Sequence, residues 1–295
     1  MSQFNFNMMD SAGYGFYRVW VERAYLLKLA TIPLLIKFAC MIAVMVLGVD
    51  NNILRQGLIL FPGVLAEGWV LAQFLRTLLK GERWPTVLPA EIDDTLLDRL
   101  LLRARGIVAA TLAYGLIALG LYLVRYFSFG LMFGDFNASQ EEVATLLRPP
   151  EAGEDPKINV NPLMFFPLIA ASVALFWAFR LLWVYIPLSA LMPVEDYLKK
   201  VGGMMSSVKM VVLYFCTMTP IMFVMIIISN VIFGAFGGVG EDGESIARFI
   251  MVFFAVIADT LVGLVSTAAF VWAMKDFLPK NPELLKELPK LGGDK

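Results

Sequence analysis

Residues 61–85 read FPGVLAEGWVLAQFLRTLLKGERWP. Up to Leu79 the stretch is long and apolar enough for a helix in lipid, yet Glu67 sits near its middle and basic residues close it at Arg76, Lys80 and Arg83. A hydrocarbon core of about 30 Å takes roughly 20 apolar residues in a helix. A carboxylate at that depth costs about 2.5–3.5 kcal/mol on insertion scales, so it turns toward a bundle interior and finds a partner. The stretch therefore implies further spans packed around it.

The rest of the chain supplies them. Hydrophobic residues make up 59% of the 295 and charged residues 17%, against about 45–50% and roughly 25% in soluble domains. The excess falls into long runs at about 30–49, 57–79, 106–127, 162–187, 209–233 and 248–274. The expected fold is all-α: a polytopic membrane protein with a six-helix transmembrane bundle over 30–274, a cytoplasmic amphipathic arm over 1–29 and a cytoplasmic tail over 275–295. Pro33, Pro62, Pro167, Pro187 and Pro220 lie in or at the edges of these runs. Neighbouring helices re-satisfy the backbone groups a proline frees, so kinks are expected rather than breaks.

Lys and Arg fix the expected orientation, because cytoplasmic loops retain them. The arm carries Arg18, Arg23 and Lys28, and the second connection Arg76, Lys80, Arg83, Arg99, Arg103 and Arg105. Lys199, Lys200 and Lys209 follow in the fourth connection, and five lysines in the tail. Arg55, Arg125, Arg148, Lys157 and Arg248 fall on the other side. Both termini are thus expected in the cytoplasm. MSQFNFNMMD has no basic segment before a short apolar core, so the first span reads as retained.

Short interfacial amphipathic helices are expected on the cytoplasmic face. Ile92, Leu96, Leu97, Leu100 and Leu101 share one helical face, so 91–105 reads as a helix lying on the membrane before turning into the third span. YGFYRVWVERAYLLK, 14–28, mixes aromatics and basic residues in the same way. In the connection 128–161, Ser139 and Glu142 form a capping box that opens a short helix ended by Pro149 and Pro150. The run 191–215, LMPVEDYLKKVGGMMSSVKMVVLYF, resembles six-helix bacterial inner-membrane proteins in which a polar, serine-bearing helix precedes a span. The likeness carries no functional motif; the membrane expected is of the bacterial cytoplasmic (inner) type.

Catalytic chemistry finds few residues to work with. Histidine is absent, which removes the commonest general base and metal ligand. Cys40 and Cys216 both lie in apolar runs and read as small packing residues, not as a disulfide or metal site. Gly238, Gly240 and Gly243 match GxGxxG formally, but they follow a span on the wrong side rather than a strand. No phosphate loop, zinc-protease, serine-hydrolase or CxxC motif occurs. The expectation is no enzyme, no cofactor, no metal and no nucleic acid.

Four ionisable residues remain inside the spans: Lys37, Glu67, Arg180 and Asp259. Lys37 is nine residues from Lys28 and Glu67 nine from Arg76, so both lie roughly 13 Å in from the same face. The first two spans are joined by a short turn, which makes a Lys37–Glu67 ion pair the natural expectation. Gln56 and Gly63 share the Glu67 face, and Gly63 lets another backbone approach. Ala255, Asp259, Gly263 and Thr267 recur every four residues, a small-residue stripe expected to bury Asp259. Arg180 is expected to snorkel to the interface among Phe176, Trp177 and Trp183.

Two uses compete for this polar cluster: fixing helix register, or lining a hydrated path for protons or ions. The leading expectation is a non-enzymatic component or scaffold that binds lipids, other membrane proteins or a second copy of itself. The alternative is a small secondary transporter or ion-conducting protein using Lys37, Glu67 and Asp259. Water at the Lys37–Glu67 pair separates them.

Overall fold

A computed structural model describes residues 4, 6–49, 52–84, 94–133, 173–236 and 241–278, without the side chains of 94–96, 125, 128–133 and 241–245. Among the described residues the chain is all-helical with no strand. In chain order the helices are α1 Met8–Val21, α2 Arg23–Val46, α3 Ile53–Lys80, α4 Asp94–Phe133, α5 Val173–Ser189, α6 Val194–Lys200, α7 Met204–Phe236 and α8 Glu241–Ala273. Five are long and apolar enough to cross a membrane: α2, α3, Leu97–Val124 of α4, α7 and Ile246–Ala273 of α8. α5 is shorter and tightens to a 3-10 turn at Phe179–Trp183. The expected fourth span lies in part outside the described residues, at 162–172. So do the capping box at Ser139 and most of the tail.

Apolar side chains cover the outside of the helices as well as the inside. Phe215, Phe223, Ile226 and Val231 on α7, and Leu27, Ile32 and Leu35 on α2, are exposed. A soluble monomer rarely shows apolar patches beyond a few hundred Å2, whereas a bilayer covers such surfaces, so this is a membrane protein.

The helix ends follow local chemistry. Asn52 caps α3 by accepting from the Arg55 N–H at 3.0 Å. Gly81 closes the other end in the left-handed conformation, φ 69°. Pro33, Pro62 and Pro220 sit inside α2, α3 and α7 without ending them.

Close approach of backbones holds the bundle. α2 and α3 run antiparallel: a Cβ added to Gly63 would lie 3.1 Å from the Lys37 Cα. Along α3 and α4, Gly57 faces Tyr122, Leu65 faces Gly115, and Gly68 faces Tyr114. Gly106 brings α4 against the Ser189 carbonyl at the end of α5, where an added Cβ would stand at 2.6 Å.

Two expectations change here. Residues 14–28 are not one interfacial helix: the chain breaks at Glu22, between α1 and α2. α1 turns its small face onto α8, with Ser11, Ala12, Gly15 and Val19 buried. A Cβ on Gly15 would meet the Val265 carbonyl at 2.6 Å, and Tyr14 stacks on Trp272 at 4.7 Å. Second, no turn separates an interfacial helix from the third span. α4 is one helix of 40 residues, about 60 Å long, or twice a hydrocarbon core. The beginning of the tail is tied down: Leu278 is buried and Phe277 meets Phe4 and Tyr197.

Candidate functional site

Glu67 lies fourteen residues from the first residue of α3 and thirteen from the last, which at 1.5 Å per residue is about 20 Å from either end. Lys37 reaches it from α2: the ammonium donates to Glu67 Oε2 at 2.6 Å. The same Nζ lies 2.6 Å from Asp259 Oδ2 on α8 and 3.5 Å from the Thr260 hydroxyl. Tyr114, from α4, hydrogen-bonds the Glu67 carboxylate. Three helices thus meet at one ammonium, and α4 joins them through Glu67.

Burial differs among the three charges in a way that matters. The Lys37 and Glu67 side chains are 12% and 6% exposed, whereas Asp259 is 68% exposed. This corrects the expectation of a buried aspartate. On α8 the inward positions are Val256, Thr260, Gly263 and Thr267: the stripe read from small residues holds at Gly263 and Thr267 and fails at Ala255 and Asp259, whose next neighbours face inward instead. Asp259 therefore stands at the edge of the interface, reaching Lys37 from the side. Gly263 fits the small-residue reading, because a Cβ there would lie 3.0 Å from Glu67 Oε1.

A cavity of about 340 Å3 opens beside these groups. Lys37, Glu67, Asp259 and Tyr114 line one part of it, and Met41, Gln56, Leu60, Val64, Ala118 and Tyr122 the remainder. Along α2 and α4, Met41 and Tyr122 lie beyond Lys37 and Tyr114. On the antiparallel α3, Gln56 and Leu60 precede Glu67. All of these lie on the side of the α2–α3 turn, so the cavity extends from the centre toward that end of the bundle. Gln56 belongs to its wall, not to the ion pair.

Toward the opposite end the described residues pack densely. Val70, Leu71, Phe74 and Leu75 follow Glu67 on α3 and are fully buried. Trp183 stacks on Phe270 at 3.7 Å, and the Tyr185 hydroxyl meets the Thr267 hydroxyl at 2.7 Å. Beyond this plug lies an arginine layer. Arg76, 2% exposed, donates Nε and Nη2 to the Glu82 carboxylate at 2.9 and 3.0 Å and Nη1 to the Ser189 carbonyl at 3.1 Å. Arg103 donates to Gln73 and to the Arg83 carbonyl, while Glu22 accepts from Arg18 and Arg83.

Arg180 is 8% exposed, stacked 4.1 Å over Trp177 and donating to the Val201 carbonyl at 3.4 Å. It is thus enclosed by α5 and the end of α6 instead of reaching outward, and it stands apart from the Lys37 centre. Cys40 and Cys216 are free and half-buried.

Sequence reasoning missed Tyr114, Tyr122 and Thr260. The first two carried a signal: Tyr114, Ala118 and Tyr122 recur at four-residue spacing on an otherwise apolar span, the pattern of one face. The Arg76, Arg103 and Glu22 partnerships were also missed, because those residues were read as orientation markers.

The centre holds one basic and two acidic groups. Fully ionised it carries one net negative charge near mid-helix, a situation that apolar surroundings penalise heavily. One further positive charge, a proton or another cation, relieves it. Among the described residues no group of three or more His, Cys, Asp or Glu side chains is placed to hold a metal ion. Comparison with family profiles, with curated proteins and with solved structures finds no match for the chain.

Proposed function

We propose that this membrane protein is a small secondary transporter or ion-conducting protein, non-enzymatic, whose working centre is Lys37 with Glu67 and Asp259. One observation carries the reading: a cavity extending toward one end of the bundle meets an incompletely neutralised charge cluster near mid-helix. A pair that only fixed helix register would be served by Lys37 and Glu67 alone, dry and neutral. The second carboxylate and the open wall beside it are what a path for a small cation requires. The packed layer at Leu71, Phe74, Trp183 and Phe270 supports an arrangement in which access is from the side of the α2–α3 turn. In the orientation the basic residues favour, that is the outward side of a bacterial-type inner membrane, with both termini in the cytoplasm.

The leading expectation from the sequence, a component or scaffold that binds lipids, other membrane proteins or a second copy of itself, has less free surface on α1. The amphipathic arm was expected to lie at the membrane surface, and the small face of α1 is spent on α8 of the same chain. The exposed Leu97, Leu101 and Leu102 on α4 still favour a partner; a protein that repeatedly co-migrates in mild detergent would support that reading.

Liposomes containing the purified chain test the proposal, with a pH dye and a potential dye reporting ion movement under imposed gradients. Movement above protein-free liposomes is expected, with loss in Asp259→Asn and in the Lys37→Met/Glu67→Gln pair. Traces equal to those of protein-free liposomes, or variants that conduct like the unaltered chain, would overturn it.

A further inference from the structure

The walls of the cavity speak to what kind of cation enters it. A bare metal ion needs a cage of oxygens to replace its water, about six to eight for a calcium ion. Such a cage is not what the walls offer: the Glu67 and Asp259 oxygens are already shared with the Lys37 ammonium, and Met41, Leu60, Val64 and Ala118 are apolar, with Gln56, Tyr114 and Tyr122 completing the lining. Small-molecule sites have this composition, mostly apolar with a few placed polar groups, and span roughly 300–1,000 Å3; the cavity holds about 340 Å3.

The charges divide by burial. Glu67 and Lys37 are both enclosed and 2.6 Å apart, so they neutralise each other. Asp259 shares the same ammonium but is 68% exposed and lines the cavity. The surplus negative charge therefore resides on the carboxylate that a visitor meets. Aromatic rings near a carboxylate suit an ammonium group, which ring faces attract as well.

We infer that the cavity is a binding site for a small organic monocation, an alkylammonium-type ligand. Its charged head takes the Asp259 carboxylate, and its hydrocarbon lies against Leu60, Val64 and Ala118. Lys37, fixed by Glu67, sets the limit on charge: a monocation brings the centre to neutrality, and a dication or an anion does not. This rests on the transporter reading and names the substrate class of that centre.

Calorimetric titration of the full chain in lipid nanodiscs tests it, with empty nanodiscs as the baseline and hexylammonium, hexanol and hexanoate as probes. Hexylammonium is expected to bind saturably, one per chain, with hexanol and hexanoate at least tenfold weaker. Asp259→Asn should weaken hexylammonium at least tenfold. Ala118→Leu, which fills the wall and leaves every charge in place, should do the same. Equal binding of the three probes, no saturable heat above empty nanodiscs, or unchanged affinity in both variants would overturn the inference. Asp259-dependent ion movement without hexylammonium binding sinks this inference alone. Hexylammonium binding with no ion or amine movement in liposomes sinks the transporter reading instead.

Discussion

Removing Lys37 and removing Glu67 should have unequal costs, although the two form one ion pair. At an effective dielectric of 20, unit charges 2.6 Å apart attract by about 6 kcal/mol. Desolvation offsets most of that, so the observable is what each truncation leaves behind. Lys37→Met strips two carboxylates of their shared ammonium and leaves Glu67 buried with Tyr114; breaking a buried pair in this way costs about 3–5 kcal/mol. Glu67→Gln leaves Lys37 with Asp259 at 2.6 Å. Its cost is closer to one charge-assisted hydrogen bond, about 1.5–3 kcal/mol. The double variant no longer buries an unpaired Glu67 carboxylate, and it should recover about 2 kcal/mol of the Lys37→Met loss, within the range for residues in contact. Unfolding by SDS titration from mild-detergent micelles, followed by tryptophan fluorescence, measures all three. Equal losses for the two single variants, or simple additivity in the double, would refute the shared-ammonium geometry.

Four further outcomes follow from named contacts. Gly15→Ala places a methyl 2.6 Å from the Val265 carbonyl; overpacking of about 1–3 kcal/mol exceeds the helix-propensity gain of about 1 kcal/mol, so α1 should lose protection in hydrogen exchange. Gly263→Ala pushes on Glu67 Oε1 from 3.0 Å and should reduce ion movement while leaving the chain folded by circular dichroism. The buried Tyr197 hydroxyl donates to the Arg180 carbonyl at 2.7 Å, and burial raises its pKa above the ordinary tyrosine value of 10.0. The folded state thus keeps a proton the unfolded state gives up, so this contribution is intact below about pH 10 and falls as pH rises beyond it. Tyr197→Phe should cost about 1 kcal/mol at neutral pH and flatten that alkaline decline in SDS titrations. For orientation, cysteines introduced at 96 and 152 in intact cells should differ, with an impermeant thiol reagent modifying only position 152.

Much of the architecture was legible because hydrophobic length and backbone period are local properties. The runs at 57–79 and 209–233 lie inside helices Ile53–Lys80 and Met204–Phe236. Lys37 opposite Glu67 was legible for a related reason: a short turn and equal depth leave little freedom between two antiparallel helices. Asp259 was harder, since its exposure depends on which side of α8 meets α3. The small residues at 263 and 267 do face inward, but at 255 and 259 the inward positions are 256 and 260. α1 was misread because the aromatic and basic residues of 14–28 suit lipid headgroups and a protein surface alike. Only the close approach at Gly15 distinguishes them. The arginine layer escaped for a reason of scale: Arg76 and Glu82 are six residues apart, yet their pairing depends on the left-handed turn at Gly81 and the carbonyl of Ser189.

Cysteine accessibility along α3 tests the central claim most directly, in a chain whose Cys40 and Cys216 are replaced by serine. Val64 lines the cavity and Leu71 lies in the plug. An impermeant methanethiosulfonate should modify Val64→Cys from the side of the α2–α3 turn alone, slow when Ala118→Leu is added, and leave Leu71→Cys untouched from either side. An inert Val64→Cys, or a Leu71→Cys that reacts as readily, would contradict a cavity that reaches Lys37 and stops there.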